Sequence, residues 1–275
     1  MPELDFCPIE LSYVVPCYFN QGNHQSLIDL LRVYQSYNSE VIDRIHFVLV
    51  DDCSPSKIVI PDDIDLHITL LRIDTDIEWN QGGARNLGIV YAKSDKLIAT
   101  DFDHCFPQAT LEYILKLPDL NKSIYKPARV AEDGTHLKPH PNTFIMSRAR
   151  CLKFHGVDEE FSGAYGYEDG FFRRWQRYNG TRFKYLNKRY PIHVRAAEKE
   201  KPYHSLARNL SHNRKIRERK NSEISTYGPN AGHSRTFLNF EWHMVEQRQR
   251  KNIQWRPAVN KYWRKLFWLR WLKCS

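Results

Sequence analysis

The sequence predicts an α/β fold, in which helices flank a mixed but mostly parallel sheet. Short runs of β-branched and aromatic residues, each ending in polar or turn residues, alternate with segments whose leucines recur at helical spacing. Pairs of acidic residues directly follow two of the predicted strands, at 51–52 and 101–103. This alternation is typical of a parallel sheet that binds ligands at the carboxyl ends of its strands.

The elements follow one another in a β-α-β-β-α-β order. Strands are predicted at residues 11–18, 45–52, 67–73 and 96–100, and helices at 24–37 and 83–93. In the first helix, Leu27, Leu30 and Leu31 share one face, which we expect to pack on the sheet. Residues 1–205 are predicted to form this α/β domain, and residues 206–275 a helical, basic and aromatic C-terminal region.

Composition limits the possible classes of protein. With 275 residues, of which 41% are hydrophobic, the chain can bury a full core, which excludes a wholly disordered protein. Lys and Arg number 41 against 32 Asp and Glu, a net charge of +9, and the basic residues concentrate after Arg173. This asymmetry indicates an anionic partner for the C-terminal half, such as a membrane surface, a nucleic acid or a phosphorylated lipid.

Cysteine spacing and the N-terminal residues predict a cytoplasmic protein. The six cysteines show no C-x-x-C spacing, so we expect reduced thiols rather than a disulfide framework. The first residues lack the basic and apolar regions of a secretory signal, and no run of 18 apolar residues predicts a spanning helix.

The most informative stretch is residues 97–104, where an apolar run leads directly into Asp101-Phe102-Asp103-His104. Two carboxylates one residue apart at the end of a strand can hold a divalent cation that bridges them to a diphosphate. We expect His104 to point away from such an ion, because side chains alternate along a strand.

Several segments together resemble a known family. These are VVPCYFN (14–20), VDDCS (50–54), NQGGARNLG (80–88) and Asp101-x-Asp103, followed by GAYGYED (163–169). In this order, over residues 11–195, they resemble family-2 inverting glycosyltransferases of the GT-A fold. The last segment also looks like the acceptor-side segment of β-1,4-galactosyltransferases.

The resemblance implies a nucleotide-sugar site and a metal site. The implied donor-binding residues are Pro16, Tyr18, Asn20, Asp52, Asn80, Gly83, Arg85, Asp101 and Phe102. Asp103 is the implied direct metal ligand, Asp101 reaches the ribose or a metal-bound water, and His193 supplies an imidazole, with His204 as the alternative. Oxygen ligands suit Mg²⁺ or Mn²⁺, and an added imidazole favours Mn²⁺.

The acceptor-side segment implies the reacting base. Asp169 takes the position that accepts the proton of the acceptor hydroxyl, Glu168 orients the acceptor, and Tyr165 and Tyr167 are expected to contact it. A single carboxylate base implies direct displacement with inversion. Ala164 and Tyr165 stand where the family often carries a tryptophan between two glycines, which leaves the acceptor's identity open.

The C-terminal tail combines aromatic and basic residues. Residues 261–273 (KYWRKLFWLRWLK) hold three tryptophans and five basic residues, a composition suited to the headgroup region of an anionic bilayer. We expect residues 258–275 to bind the inner face of the cell membrane peripherally; the alternative is a helix docked on the catalytic domain.

The predicted function is metal-dependent, inverting transfer of a sugar from a UDP-linked donor to a hydroxyl of a glycan or lipid-linked glycan, in bacterial surface polysaccharide synthesis. One alternative is a sugar-phosphate nucleotidyltransferase, but no lysine-bearing G-x-G-T-R-like loop follows the first strand. The other is a basic nucleic-acid-binding protein, which would leave the acidic residues of the first half unexplained. No nucleic-acid partner is therefore predicted.

Overall fold

The computed structural model describes residues 9–20, 23–118, 120–195 and 206–254. The strands are β1 (Leu11–Cys17), β2 (Ile45–Asp51), β3 (His67–Ile73), β4 (Lys96–Ala99), β5 (His104–Cys105), β6 (Ser123–Lys126), β7 (Arg129–Val130), β8 (His136–Leu137), β9 (Phe144–Ser147), β10 (Arg182–Tyr185), β11 (Ile192–Val194) and β12 (Trp242–Arg248). The helices are α1 (Gln25–Gln35), α2 (Ser39–Ile42), α3 (Gln81–Tyr91), α4 (Gln108–Lys116), α5 (Arg148–Lys153), α6 (Glu168–Tyr178) and α7 (Ser211–Tyr227), with 3₁₀ turns at Glu159–Phe161 and Pro229–Ala231.

The predicted α/β sheet is confirmed. Eight strands pair in the order β10-β6-β9-β4-β1-β2-β3-β12. The central strands β4, β1, β2 and β3 are mutually parallel, whereas β9 pairs antiparallel with both β4 and β6 and β12 pairs antiparallel with β3. The carboxyl ends of the four central strands therefore lie along one edge of the sheet.

Helices cover both faces of these central strands, which explains their nearly continuous apolar sequences. Alternate residues of β1 enter two different clusters: Tyr13 packs with α1 on one face, and Val14 packs with α3 on the other. The Tyr13 hydroxyl lies 2.7 Å from that of Tyr34 on α1. Gly88 of α3 allows the close approach, because a Cβ there would lie 2.4 Å from Val14 Cγ1.

A smaller sheet lies beside the end of β4. Its strands pair in the order β5-β11-β7-β8, with β5 antiparallel to β11 and β11 parallel to β7. Residues 100–103 connect β4 of the large sheet to β5 of the small one. The loop with the two acidic residues is consequently held at both ends by strands.

The C-terminal region differs from its helical prediction. Helix α7 forms as expected, but Trp242–Arg248 is a strand, β12, which pairs with β3 at the edge of the large sheet. The physical reason is that β3 would otherwise present a row of unpaired backbone groups. The predicted membrane-binding tail, residues 258–275, lies outside the described residues. Within the described ranges, no helix is long and apolar enough to cross a membrane.

Candidate active site

The carboxyl ends of β1, β2 and β4 converge on a cavity of about 170 Å³. Its lining combines residues from the ends of these strands with the loop that follows β3. The lining residues are Pro16, Cys17, Tyr18, Asp52, Asp76, Ile77, Glu78, Trp79, Gln81, Asp101, Phe102, Asp103 and Leu206. Six of these residues carry one of the predicted donor or metal roles. We call this space the first cavity.

Asp52 and the preceding Asp51 have different environments. Asp51 accepts a hydrogen bond from the Ser54 backbone N–H at 2.9 Å and pairs with Arg72 at 2.5 Å, so its charge is used inside the protein. Asp52 lines the first cavity and accepts a hydrogen bond from Asn80 Nδ2 at 3.1 Å. Burial raises the pKa of Asp52 to about 7, although the Asn80 bond acts in the opposite direction. Asp52 is therefore the member of the pair that can meet a ligand.

Arg85 connects the carboxylates of two distant segments. Its Nη2 lies 3.4 Å from Asp101 Oδ1, and its Nη1 lies 3.8 Å from Asp169 Oδ1. The side chain is only 1% exposed, because it rises from α3 beneath both acids. A buried guanidinium between two carboxylates holds them near each other and offsets their repulsion.

One group of side chains in the described ranges could hold a metal ion: Asp101, Asp103 and His104, with ligand atoms all within 4.8 Å of one another. His104 Nδ1 lies 2.9 Å from Asp103 Oδ1, so the expectation that His104 points away from the acids is wrong. Residues 101–103 form a turn rather than a continuing strand, which breaks the alternation. Burial acts to raise the pKa of Asp103, but the neighbouring His104 and His140 bring it below its ordinary value.

His193 does not belong to this group. It pairs with Cys105, while Val194 pairs with His104, and directly opposed residues of an antiparallel pair share a face. His193 is thus an exposed residue on the face opposite that of His104. Arg195, two residues further on, instead holds the backbone of the acidic loop. Its backbone N–H donates to the Asp103 carbonyl at 2.8 Å, and its Nη1 donates to the Phe102 carbonyl at 3.1 Å. The alternative ligand, His204, lies outside the described residues.

A second cavity, of about 160 Å³, adjoins the first. Its lining residues are Trp79, Gln81, His140, Pro141, Asn142, Ala164, Tyr165, Gly166, Glu168 and Asp169. Trp79 and Gln81 line both cavities, so the two spaces share a wall. The Trp79 and Tyr165 rings lie 4.7 Å apart, which provides an aromatic surface of the kind on which a sugar ring can stack.

Glu168 and Asp169 form the first turn of α6, where the helix dipole favours negative charge. Burial nevertheless raises the pKa of Asp169 to about 7, and the neighbouring Glu168 charge raises it further, whereas Arg85 and Lys126 oppose the shift. Burial also raises the pKa of Glu168. A carboxyl with a pKa near neutrality is suited to proton transfer at physiological pH.

Helix α7 supports the loop that precedes these acids. The Asn213 Nδ2 lies 2.8–2.9 Å from the carbonyl oxygens of Phe161, Ala164 and Gly166, and Asn213 is fully buried. Gly166 has φ +87°, and a Cβ there would lie 2.6 Å from Leu210 Cδ2, so this position needs glycine. The C-terminal region therefore shapes the second cavity.

Besides Asn80, Arg85 and His193, three predicted site residues in the described part of the chain lie outside both cavity linings. Asn20 is half-buried in the loop after β1. Gly83 packs against protein rather than facing the cavity, since a Cβ there would lie 2.4 Å from Asn80 Oδ1 and 2.6 Å from Phe240 Cε1. Tyr167 lies immediately before α6, with Arg217 4.4 Å from its ring centre.

The sequence reasoning missed several residues of the site. His140 Nδ1 lies 3.6 Å from Asp101 Oδ2, and burial lowers the pKa of His140 to about 4, so its ring is neutral near pH 7. Lys126 Nζ donates to the backbone oxygens of His140 and Pro141, which fixes the loop before β9. The segment around residue 140 forms no recognisable motif, and only its position in the fold reveals it. Gln81 belongs to the segment NQGGARNLG (80–88), but the sequence does not show what its side chain contacts.

Comparison with known proteins gives a family match over most of the chain. Residues 12–240 match the family model described as "Glycosyl transferase family 2". An uncharacterized glycosyltransferase of Haemophilus influenzae is 34% identical over 124 residues, which are 43% of this chain and 39% of that relative. The match thus spans well under half of the relative's length.

Solved structures show the same fold. S. aureus TarS 1–349 in complex with UDP-GlcNAc superposes with a TM-score of 0.56 at 15% identity, covering 78% of this chain and 66% of TarS 1–349. The mannosyltransferase PcManGT from Pyrobaculum calidifontis, in complex with GDP-Man and Mn²⁺, gives a TM-score of 0.50 at 16% identity, covering 78% and 62%.

The fold and the extent of the family match define the class of this protein: the chain belongs to glycosyl transferase family 2. The structural neighbours establish the GT-A-type arrangement of a mostly parallel sheet between helices. Family membership disfavours the nucleotidyltransferase and nucleic-acid-binding alternatives.

Proposed function

We propose that this protein transfers a sugar from a nucleotide donor, bound in the first cavity, to an acceptor hydroxyl bound in the second, with inversion. The observation that carries the proposal is the position of Arg85 between Asp101 and Asp169. Asp101, on the donor side, and Asp169, the proposed base, therefore both lie beside the buried Arg85 guanidinium. Trp79 and Gln81 line both cavities, which supports a boundary between donor and acceptor at this point.

The first cavity offers groups suited to a nucleotide. Pro16 and Tyr18 provide apolar surface for a base, and the buried Asp52 can accept hydrogen bonds from the base or the ribose. TarS 1–349 was solved with UDP-GlcNAc and PcManGT with GDP-Man, so neighbours of this fold bind both kinds of donor. We favour a UDP-linked sugar, as the motif resemblance implies.

The residues at the end of β4 fit a divalent cation. Asp101 and Asp103 supply carboxylate oxygens and His104 an imidazole nitrogen, a mixed set that favours Mn²⁺ over Mg²⁺. A cation bound there would neutralise the charge that grows on the departing diphosphate. Arg195 holds the backbone of this turn in place through the carbonyls of Phe102 and Asp103.

Asp169 is the proposed general base. It lines the second cavity, where a hydroxyl bound beside Tyr165 can donate its proton to the carboxylate. Glu168, its neighbour at the start of α6, orients the acceptor. We infer the acceptor to be a glycan or a lipid-linked glycan, because residues 163–169 resemble the acceptor-side segment of β-1,4-galactosyltransferases. Tyr167, which precedes α6 in the same segment, packs against the Arg217 guanidinium.

A panel of nucleotide sugars tests the proposal. A donor that binds only the folded protein raises its melting temperature, and we expect this rise for a UDP-sugar in the presence of Mn²⁺. Sugar transfer, or slow hydrolysis of the same donor, should then be measurable and should cease on chelation. A protein that is stabilised by no nucleotide sugar, with or without metal, would contradict the proposal.

We further propose peripheral attachment to the inner face of a bacterial cell membrane, where lipid-linked acceptors for surface polysaccharides are found. The support is the composition of residues 258–275. Full-length protein should bind vesicles with anionic lipid more tightly than neutral vesicles. A variant with Trp263, Trp268 and Trp271 changed to Ala should bind the anionic vesicles more weakly, because it loses the apolar surface that enters the interface. Equal vesicle binding by variant and parent would contradict the attachment.

A further inference from the structure

A chain of two amide side chains joins the carboxyl groups of Asp101 and Asp169. Gln81 Nε2 donates to Asp101 Oδ1 at 2.7 Å, and Asn142 Nδ2 donates to Gln81 Oε1 at 3.1 Å. The other end of the Asn142 carboxamide contacts both carboxyl oxygens of Asp169. We call this chain the amide bridge. It lies where the two cavities meet, since Gln81 lines both and Asn142 lines the second.

The amide bridge has a direction, because a carboxamide donates from one end and accepts at the other. With Asn142 donating to Gln81, its carbonyl oxygen faces Asp169, an arrangement that suits a protonated carboxyl. With the Asn142 amide turned over, its nitrogen donates to both oxygens of Asp169, which suits the carboxylate. Its oxygen then faces Gln81 Oε1, so the link to Gln81 is kept in this orientation only if the Gln81 carboxamide turns over as well. Asn142 can therefore hydrogen-bond Asp169 before and after that residue takes a proton.

The parts of the bridge are held firmly. Asn142 is buried, and its loop is anchored by Lys126, whose Nζ lies 2.5 Å from the His140 oxygen and 2.8 Å from the Pro141 oxygen. The next residue, Thr143, hydrogen-bonds Thr100 side chain to side chain at 3.0 Å. Gln81 is the first residue of α3. An anchored amide can fix the orientation of a neighbouring carboxyl without itself reacting.

We propose that Asn142 is a positioning residue for the base Asp169, and that Gln81 couples this positioning to Asp101 on the donor side. The proposal rests on the proposed function, in which Asp169 accepts the acceptor's proton. It extends that function by assigning a role to two residues outside the acidic motifs. The bridge makes the orientation of the base dependent on the same carboxyl that meets the donor.

The test is an Asn142→Asp substitution, which keeps the shape of the side chain but places a carboxylate against Asp169. Like charges raise each other's pKa, so the pH midpoint of kcat should rise by about one unit or more. The groups already facing Asp169 are Glu168, Arg85, Lys126 and Asp101, and none of them changes in this variant. An unchanged midpoint would show that residue 142 does not face Asp169, and the positioning role itself is tested by removing the amide.

A second variant and two controls complete the experiment. Asn142→Ala should lower kcat roughly tenfold to a hundredfold and leave the donor's Kd within about twofold, because only the base loses its orientation. The matched control is Asn187→Asp, the same substitution in an exposed loop outside both cavities. Gln35→Ala controls for the loss of a hydrogen-bonded amide elsewhere in the protein, since the half-buried Gln35 bonds the backbone of Asp63 and Asp65 and lines neither cavity.

Outcomes for the bridge and for the base can be separated by Asp169→Asn in the same assay. If Asp169→Asn abolishes transfer while Asn142→Asp keeps the parent's pH midpoint, the bridge proposal is overturned and the base stands. Should Asn142→Asp fail to fold, an unchanged kcat in Asn142→Ala overturns it equally. If Asp169→Asn retains transfer, the proposed function itself fails.

Discussion

Arg85 Nη1 lies 3.8 Å from Asp169 Oδ1, and this contact links an acid of the second cavity to Asp101 of the first. The guanidinium also lies 3.4 Å from Asp101, so one buried charge contacts both acids and favours the ionised form of Asp169. Each acid reaches Arg85 from a different element, Asp101 from the end of β4 and Asp169 from the start of α6.

Removing the Arg85 charge should make Asp169 harder to ionise. Arg85→Gln leaves Asp169 buried near Glu168 and Asp101, so we expect the pH midpoint of kcat to rise. Transfer rates measured across the pH range would show it. Arg85→Lys, which keeps a positive charge but loses the planar fork, should shift the midpoint less. A lower midpoint in Arg85→Gln would contradict this account.

The parent enzyme should gain activity as pH rises through about 7. The pKa of Asp169 is about 7, raised chiefly by burial, and a general base acts only when deprotonated. The rate should therefore be low below pH 6 and reach a plateau above pH 8. Replacing Asp169 with Asn should reduce kcat by roughly 10²–10⁴-fold at every pH and leave donor binding intact. Near-parental turnover in this variant would exclude Asp169 as the base.

The two candidate histidines predict different metal titrations. His104→Ala removes a nitrogen from the group with Asp101 and Asp103, so Mn²⁺ should bind more weakly. His193→Ala is the matched control, because His193 lies exposed on the other face of the small sheet. Mn²⁺ binding measured by calorimetry, with Asp103→Ala as the reference for a lost site, separates them. Weaker binding in His193→Ala alone would reverse the assignment.

Asn213 should matter for the acceptor and for stability. In Asn213→Ala the carbonyls of Phe161, Ala164 and Gly166 lose their shared donor, so the free energy of unfolding should fall by about 2 kcal/mol. The loop should also loosen, which raises KM for the acceptor more than Kd for the donor. Chemical denaturation and steady-state kinetics measure the two effects. An acceptor KM equal to the parent's would show that α7 does not shape the second cavity.

Much of the fold could be predicted because its pattern is local. The runs that became β1 to β4 are β-branched and bounded by polar residues, and the leucines of α1 follow a helical period. The strand β12 could not be predicted in the same way. Its sequence, WHMVEQR, is half polar, and it is a strand because β3 offers an unpaired edge, a non-local cause.

The candidate site shows the same division. Asp52, Asp101, Asp103 and Asp169 follow strands or begin a helix within motifs, and the structure brings them together around two adjoining cavities. His104 lies beside Asp103, and His193 lies on the opposite face of the small sheet. The turn at 101–103 and the register of β11 decide these positions, and neither can be inferred from the sequence pattern. Asn142 and His140 reach the site through a loop whose path is fixed by Lys126, a contact that spacing along the chain does not encode.

The edge position of β12 has a consequence for shortened forms of the chain. Ending the polypeptide before Trp242 would remove the antiparallel partner of β3 and leave unpaired those backbone N–H and C=O groups of Ile68–Ile73 that face away from β2. An open strand of this length is a template for pairing with another molecule. Such a truncated protein should self-associate through β3, even though every acidic residue of the site is still present.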